Sequence, residues 1–299
     1  MTQPPPPPPR AHSPRRAVAL AMLLPLAVLG GLPACGGGGG SSETPTSDLS
    51  TTGLQQALAG YTALRVATSL PLLWPLSLGQ LGCDVGGHRE STTGLPAGFG
   101  TLLQDCRSGL DPQTAYSGSF NGSAYVFNGL QLALDLAGRP LAVVPATVMT
   151  LDEVQADLGT PASDTALPPL SAWGRLQALD FTVGAASTYR LQDLRLGDGG
   201  AAPLTRTPGD DGPQVHLPAA SGPVRLGTTT LTLQVSHPLA WRGQAMPTEG
   251  TLQITPDGAA ALTLTFLPDD RLSLSRGGQR LDLHWQDPQV QAALSAVTH

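Results

Sequence analysis

The chain has no lysine, and all sixteen of its basic residues are arginine. That excludes a lysine Schiff base and a phosphate loop closed by a lysine. Isoleucine occurs once, as Ile254, a bias that reads as GC-rich coding rather than as a functional device. Aromatic residues are 4% and charged residues 13% of the 299, so the core must be built from aliphatic side chains. Sequence signatures of chemistry are also missing. No serine has glycine two residues to each side, and there is no His-Glu-x-x-His, Cys-x-x-Cys or EF-hand loop. No cofactor is expected.

Glycine (36) and proline (29) are plentiful, yet short of the level that marks disorder. The expectation is a folded domain rich in turns. The N-terminal residues are the most informative. Arg10, Arg15 and Arg16 form a basic region ahead of the apolar run 17–31, AVALAMLLPLAVLGG, the layout of an export signal. Pro25 and Gly30-Gly31 would interrupt a long helix. Carried on to Ala34 the apolar run reaches membrane-span length, so a transmembrane helix is the alternative. Leu32-Pro33-Ala34-Cys35 follows, then five glycines.

A leucine three before a cysteine and an alanine one before it resemble the lipobox of bacterial lipoproteins. The resemblance covers residues 10–36. It implies that residues 1–34 are a cleaved signal, that Cys35 is acylated, and that the mature chain is held at the cell envelope by its lipid. Several acyl chains give a stable anchor where one gives a marginal one. Gly36, in place of an aspartate after the anchor, implies the outer membrane, facing the periplasm. Residues 35–52, rich in Gly, Ser and Thr, read as the lipidated Cys and a flexible tether. Residues 53–299 read as the folded domain. The mature chain carries thirteen arginines against 22 acids, with no basic footprint for nucleic acid.

With Cys35 lipidated, Cys83 and Cys106 remain as a pair, and an oxidising envelope makes a disulfide their natural state. The segment between them is rich in glycine and reads as a hairpin stapled at its ends. Cys83, Asp84, His88, Glu90 and Cys106 together could ligate zinc. The spacing fits no common zinc motif, however, and a disulfide consumes both thiolates, so no metal site is assigned.

The expected fold is mainly β: an antiparallel meander, or a curved sheet or sandwich, with a short C-terminal helix and few other helical turns. Leu231, Leu233 and Val235, then Leu252 and Ile254, then Leu262, Leu264 and Phe266 alternate with polar residues, the mark of half-buried strands. Leu272 and Leu274, then Leu281, Leu283 and Trp285, extend the series, with turn residues between the runs. Asp287-Pro288 marks a helix start. Leu54, Leu58 and Tyr61 suggest a short helix over 54–64, and 151–158 has the composition for one or two helical turns. Asn128-Gly129 and His237-Pro238 read as turns. Residues 197–223 read as a long loop or linker, the best point to divide the domain into two subdomains.

Few residues invite a catalytic reading. His284 and Asp282 share the polar side of one strand and could do acid–base work; a solvated strand face is the simpler reading. Trp74, Trp173, Trp241 and Trp285 could anchor the core or line a ligand groove. No catalytic residue is assigned and the chain is expected not to be an enzyme. The expected function is a non-catalytic envelope lipoprotein, a β-rich binding or structural module with an unknown protein partner. The alternative is a carrier of a lipid or other hydrophobic ligand, similar in fold alone to the outer-membrane lipoprotein acceptor family.

Overall fold

The structure is a computed structural model that describes residues 49–92, 100–121, 126–136, 139–145, 150–184, 187–243 and 245–298. The expected signal, Cys35 and nearly all of the tether lie outside the described residues. Sixteen strands form one antiparallel sheet: β1 (Gly86–Thr92), β2 (Gly100–Ser108), β3 (Asp111–Asn121), β4 (Val126–Leu136), β5 (Arg139–Pro145), β6 (Thr150–Leu158), β7 (Leu170–Val183), β8 (Ser187–Leu196), β9 (Leu204–Thr207), β10 (Gln214–Leu217), β11 (Ala220–Leu226), β12 (Thr229–Arg242), β13 (Glu249–Pro256), β14 (Leu262–Leu267), β15 (Arg271–Arg276) and β16 (Gln279–His284). The mainly-β expectation holds. β1 to β5 pair in sequence, then β7, β8 and β11 to β16. β6 and β9 attach to β7, and β10 bridges β9 and β12.

The meander of the last third is as its alternation predicts. Leu231, Leu233, Leu252, Ile254, Leu262, Leu264 and Phe266 are all buried, and β12 to β16 pair consecutively. The C-terminal helix, α3 (Pro288–Thr298), begins as predicted. The Asp287 carboxylate accepts from the His284 backbone N–H at 2.8 Å, and the Asp287 carbonyl accepts the first helical bond, from Gln291 N–H.

The helical N-terminal region is longer than predicted and far more buried. A π turn (Leu49–Gly53) leads into α1 (Leu54–Ser69), a 3₁₀ turn (Leu70–Leu72) and α2 (Leu73–Leu78). Pro71 has no N–H for the carbonyl four residues back, so the α geometry tightens there. Gly79 ends α2 in the left-handed conformation, φ 72°. Thirteen of the sixteen residues of α1 are buried. A helix apolar on all sides belongs in a core, surrounded by other elements. Here α1 contacts β8, β11, β12, β13 and β14 as well as α3. The sheet therefore wraps it. Gly60 allows the closest approach, since a Cβ there would lie 2.8 Å from Leu233 Cδ2 and 3.2 Å from Ile254 Cγ1. Burial of Leu54, Leu58 and Leu64 stabilises by roughly 1.5–3 kcal/mol each. Tyr61 packs on Phe266 and Trp285, with ring centroids at 5.1 and 5.7 Å.

Four local expectations need correction. Residues 151–158 are strand β6, because pairing with β7 through Gln155–Trp173 and Ala156–Ala172 overrides a helical composition. Asn128-Gly129 lies inside β4, at a register shift opposite Gly118, so its glycine marks a bulge and not a turn. His237-Pro238 lies inside β12, again where the register shifts, which is where a strand tolerates proline. Residues 197–223 contribute β9, β10 and most of β11 to the sheet.

Cys83 and Cys106 are disulfide-bonded, with Cα atoms 4.8 Å apart. As predicted, β1 and β2 form an antiparallel hairpin inside that staple.

Candidate functional site

Two regions concentrate polar chemistry, one at the end of the buried helix and one on the outer face of the sheet. The inner region caps α1. Its last carbonyls have no intrahelical partner. The Ser69 carbonyl accepts from Tyr116 Oη at 2.6 Å, and the Thr68 carbonyl from Arg206 Nη2 at 2.9 Å. Arg206, on β9, is 4% exposed. Its Nη1 meets Asp111 Oδ2 at 2.8 Å, and Thr114 Oγ1 donates to the same oxygen at 2.9 Å. A cation at a helix C-terminus is favourable, and a buried cation needs its carboxylate. Burial, with Asp111 nearby, pushes the Tyr116 hydroxyl well above its usual range, so it stays a donor. Burial raises Tyr61 as well, to about 12. Tyr189 repeats the device for α3, its hydroxyl donating to the Val297 carbonyl at 2.7 Å. The cavity beside this clamp, reached by Arg65, Arg206 and Trp241, measures about 10 Å³. That is room for one water molecule at most. The inner region is a structural joint.

The outer region is a groove of about 620 Å³, lined by Gln155, Trp173, Arg175, Arg195 and the Gly197–Gly199 turn. That volume falls within the range of small-molecule sites. Strand register builds it. Trp173 and Arg175, two apart on β7, share a face. Gln155 on β6 is opposite Trp173, and Arg195 on β8 is opposite Arg175. Two arginines at directly paired positions repel. Arg175 Nη1 lies 3.5 Å from Asp193 Oδ1, a carboxylate 64% exposed. Among the described residues Arg195 has no ion-pair partner.

A second arginine pair gives the contrast. Arg190 on β8 is opposite Arg225 on β11. There Asp180 grips Arg190 with both oxygens, at 2.6 and 2.7 Å, and Arg225 Nε donates to the Gly227 carbonyl at 2.8 Å. The hydrogen bond from Arg190 holds the Asp180 carboxyl below its usual range. Arg190 and Arg195 are five apart, which on a regular strand would put them on opposite faces. The β7–β8 register is unbroken, but the β8–β11 register shifts by one residue between the pairs Arg195–Ser221 and Leu191–Val224. Asp193 takes φ +48° at that bulge, and Arg195 returns to the exposed face.

The structure separates most residues singled out in the sequence. Cys83 and Cys106 are spent in the disulfide, while His88 and Glu90 pair on the surface at 3.3 Å. Among the described residues no three potential metal ligands cluster. Asp282 is held by Arg280 at 2.8 Å, a bond that lowers its carboxyl pKa, and the His284 side chain is exposed. Trp285 and Trp241 are buried, Trp241 under the Arg65 guanidinium at 4.8 Å. Trp74 is half-buried against the core. Trp173 lines the groove. Arg175 and Arg195 were not predicted, because strand register, unlike strand alternation, cannot be read from one sequence. Comparisons with protein-family models, curated proteins and solved structures find no match for this chain.

Proposed function

We propose that this chain is a non-catalytic lipoprotein of the bacterial envelope, a β-rich binding module held by acyl chains on Cys35. The observation that carries the binding-module reading over the lipid-carrier reading is the position of α1. The space that a lipid would occupy inside a curved sheet is taken by a helix buried on all sides. The cavity beside that helix, about 10 Å³, is far too small for an acyl chain. Recognition then falls to the outer face, where the groove beside Trp173 opens. The Cys83–Cys106 bond supports an oxidising compartment, and Leu32-Pro33-Ala34-Cys35 supports the anchor.

The test has two arms. Cys35→Ser should leave the signal uncleaved and the chain without acyl label in a bacterial host, read by intact mass and membrane fractionation. Normal mass and normal membrane partition in that variant would refute the anchor. Lipid extracted from the purified mature domain, read by mass spectrometry, should be absent at stoichiometric level. A bound lipid in one-to-one ratio would overturn the module reading in favour of the carrier.

A further inference from the structure

The sheet ends on β16, and among the described residues β16 pairs with β15 alone. What its other side offers follows from the hairpin that forms it. Gly277 and Gly278 take positive φ, 56° and 84°, in a two-residue turn. Arg276 and Gln279 close that turn and exchange both backbone bonds, and along an antiparallel strand every second residue does the same. Gln279, Leu281 and Leu283 therefore engage β15 with their N–H and C=O groups. Trp285 keeps the phase, its N–H donating to the Asp270 carbonyl at 3.0 Å. Arg280, Asp282 and His284 turn theirs outward. The chain closes the last of these itself. The His284 N–H donates to the Asp287 carboxylate at 2.8 Å, and its carbonyl accepts from the Asp287 N–H at 3.0 Å. Nothing among the described residues takes the outward groups of Arg280 and Asp282. Such an edge is a template for another strand.

The side chains at these two positions are of opposite sign and share the outer face. Arg280 Nε meets Asp282 Oδ1 at 2.8 Å, with the two side chains 61% and 63% exposed. Leu281, between them, points to the inner face, where it packs against the core yet stays half-buried. Leu264 and Leu274, in the same row on β14 and β15, are fully buried. Each of those has a strand on both sides, and Leu281 has a strand on one.

The edge is self-complementary. Rotating a second copy about a two-fold axis through Leu281 lays its β16 antiparallel to the first. Arg280 then stands opposite Asp282 of the second copy, and Asp282 opposite Arg280 of the second copy. Both residues have outward backbone groups, so they form the hydrogen-bonded pairs of the new ladder. Opposite charges at such positions attract. Leu281 meets its counterpart at the closer, non-hydrogen-bonded position, which covers the flank left open in one copy. Charge also fixes the register. Sliding the strands by two residues in either direction sets Arg280 against Arg280 or Asp282 against Asp282, and like charges directly opposite are unfavourable.

We infer that β16 is a homodimer interface, at which two copies of the chain join edge to edge in antiparallel register about Leu281. The inference goes beyond the lipoprotein reading and does not depend on the anchor. A foreign strand would need acid and base at the spacing that a second copy already has. The contact is isologous and closes on itself, so it ends in a dimer and not in a fibre. It is also short, which places it among weak, reversible interfaces.

The experiment is sedimentation velocity on the full chain in a density-matched detergent, from about 1 μM to about 1 mM, a span that reaches weak interfaces. A reversible monomer–dimer equilibrium is expected, with no larger species. Arg280→Asp alone and Asp282→Arg alone should each weaken the dimer at least about tenfold, because like charges then face each other across the axis. The double reversal, Arg280→Asp with Asp282→Arg, should restore it. So should an equimolar mixture of the two single variants, whose edges complement each other and not themselves. Restoration in the mixture cannot come from misfolded chains. Asp282→Pro removes an outward N–H that β15 does not use, a change that an edge strand tolerates. It should lose the dimer while its circular dichroism stays that of the wild type. Monomer throughout the range would overturn the interface. A dimer that survives both single reversals would place the contact elsewhere, and species larger than the dimer would show a contact that does not close; either result overturns the inference.

Discussion

Arg206 and Arg195 are borne by the same sheet and are placed in opposite circumstances. Arg206 is buried, with Asp111, the Thr68 carbonyl and the Leu110 carbonyl around its guanidinium. Arg195 is exposed, beside another arginine and without an ion-pair partner among the described residues. Inside, a charge persists only where other groups satisfy it. Outside, water tolerates a charge that the fold does not use. The difference teaches where stability resides: the paired arginine, whose buried Nε alone lacks a partner, holds α1 in the sheet, while the exposed one contributes no ion pair among the described residues.

The comparison is most directly broken at Arg206. Arg206→Ala leaves the Asp111 carboxylate buried beside Thr114 alone and uncaps the Thr68 carbonyl. Removing one partner of a buried pair costs about 3–5 kcal/mol, and chemical denaturation should show a loss of that size. Replacing both partners, Arg206→Met with Asp111→Leu, should recover much of it, because no charge is then stranded. A loss below about 1 kcal/mol in the single variant would mean that the joint is not what holds α1.

The disulfide comes next. Cys83 and Cys106 close a loop of 23 residues' separation, worth roughly 3 kcal/mol in the chain-entropy account. The double variant Cys83→Ser, Cys106→Ser should fall in thermal midpoint by the corresponding amount, as should the wild-type chain under reductant. If reduction leaves the midpoint where it was, the hairpin needs no staple.

A smaller effect sits at the compensated arginine pair. The Asp180 carboxyl is held below its usual range by Arg190. A depressed folded-state pKa contributes stability above the unfolded value, about 3.9, and that contribution is lost as pH falls through the lower folded value. Both side chains are more than two-fifths exposed, so the contribution is under about 1 kcal/mol. Asp180→Asn should thus be slightly less stable than wild type at neutral pH and equal to it in strong acid. A gap that persists or widens as the pH falls would contradict the pairing.

How much of this was legible in the sequence depends on whether each element has two unlike faces. The strands from Leu231 to Leu283 have one dry and one wet face, so alternation gave them away. The helix α1 has no wet face. Leu54, Leu58 and Tyr61 showed its beginning, but with Ala57, Ala63, Val66 and Ala67 equally buried there was no polar stripe to carry the period onward. Pro71 and Pro75 speak against a long central strand in that stretch without announcing a helix. In 151–158 the residues favour a helix, and only pairing with β7 decides otherwise. The disulfide followed from counting cysteines once Cys35 was set aside. The groove could not be found that way. Trp173 and Arg175 are two apart and visibly share a face once β7 is known, yet Arg195 joins them through a bulge at Asp193 that reverses its face. No local pattern announces a bulge of that kind.

The smallest expected effect is the sharpest test of the contrast between the two arginines. Arg195→Ala deletes an exposed guanidinium that no carboxylate of the described residues engages, so its thermal stability should stay within about 0.5 kcal/mol of wild type. The sign is also fixed. Arg175 loses a like-charged neighbour at a paired position, so at low ionic strength the variant should be more stable by a few tenths of a kcal/mol. Added salt should erase that gain, because exposed charges are screened within about 10 Å at 0.1 M. Arg190→Ala must behave oppositely, since it removes the partner of Asp180 along with the repulsion of Arg225. If Arg195→Ala destabilises as Arg190→Ala does, Arg195 is held by contacts within the fold. Its charge would then belong to the fold and would not be a surplus at the surface.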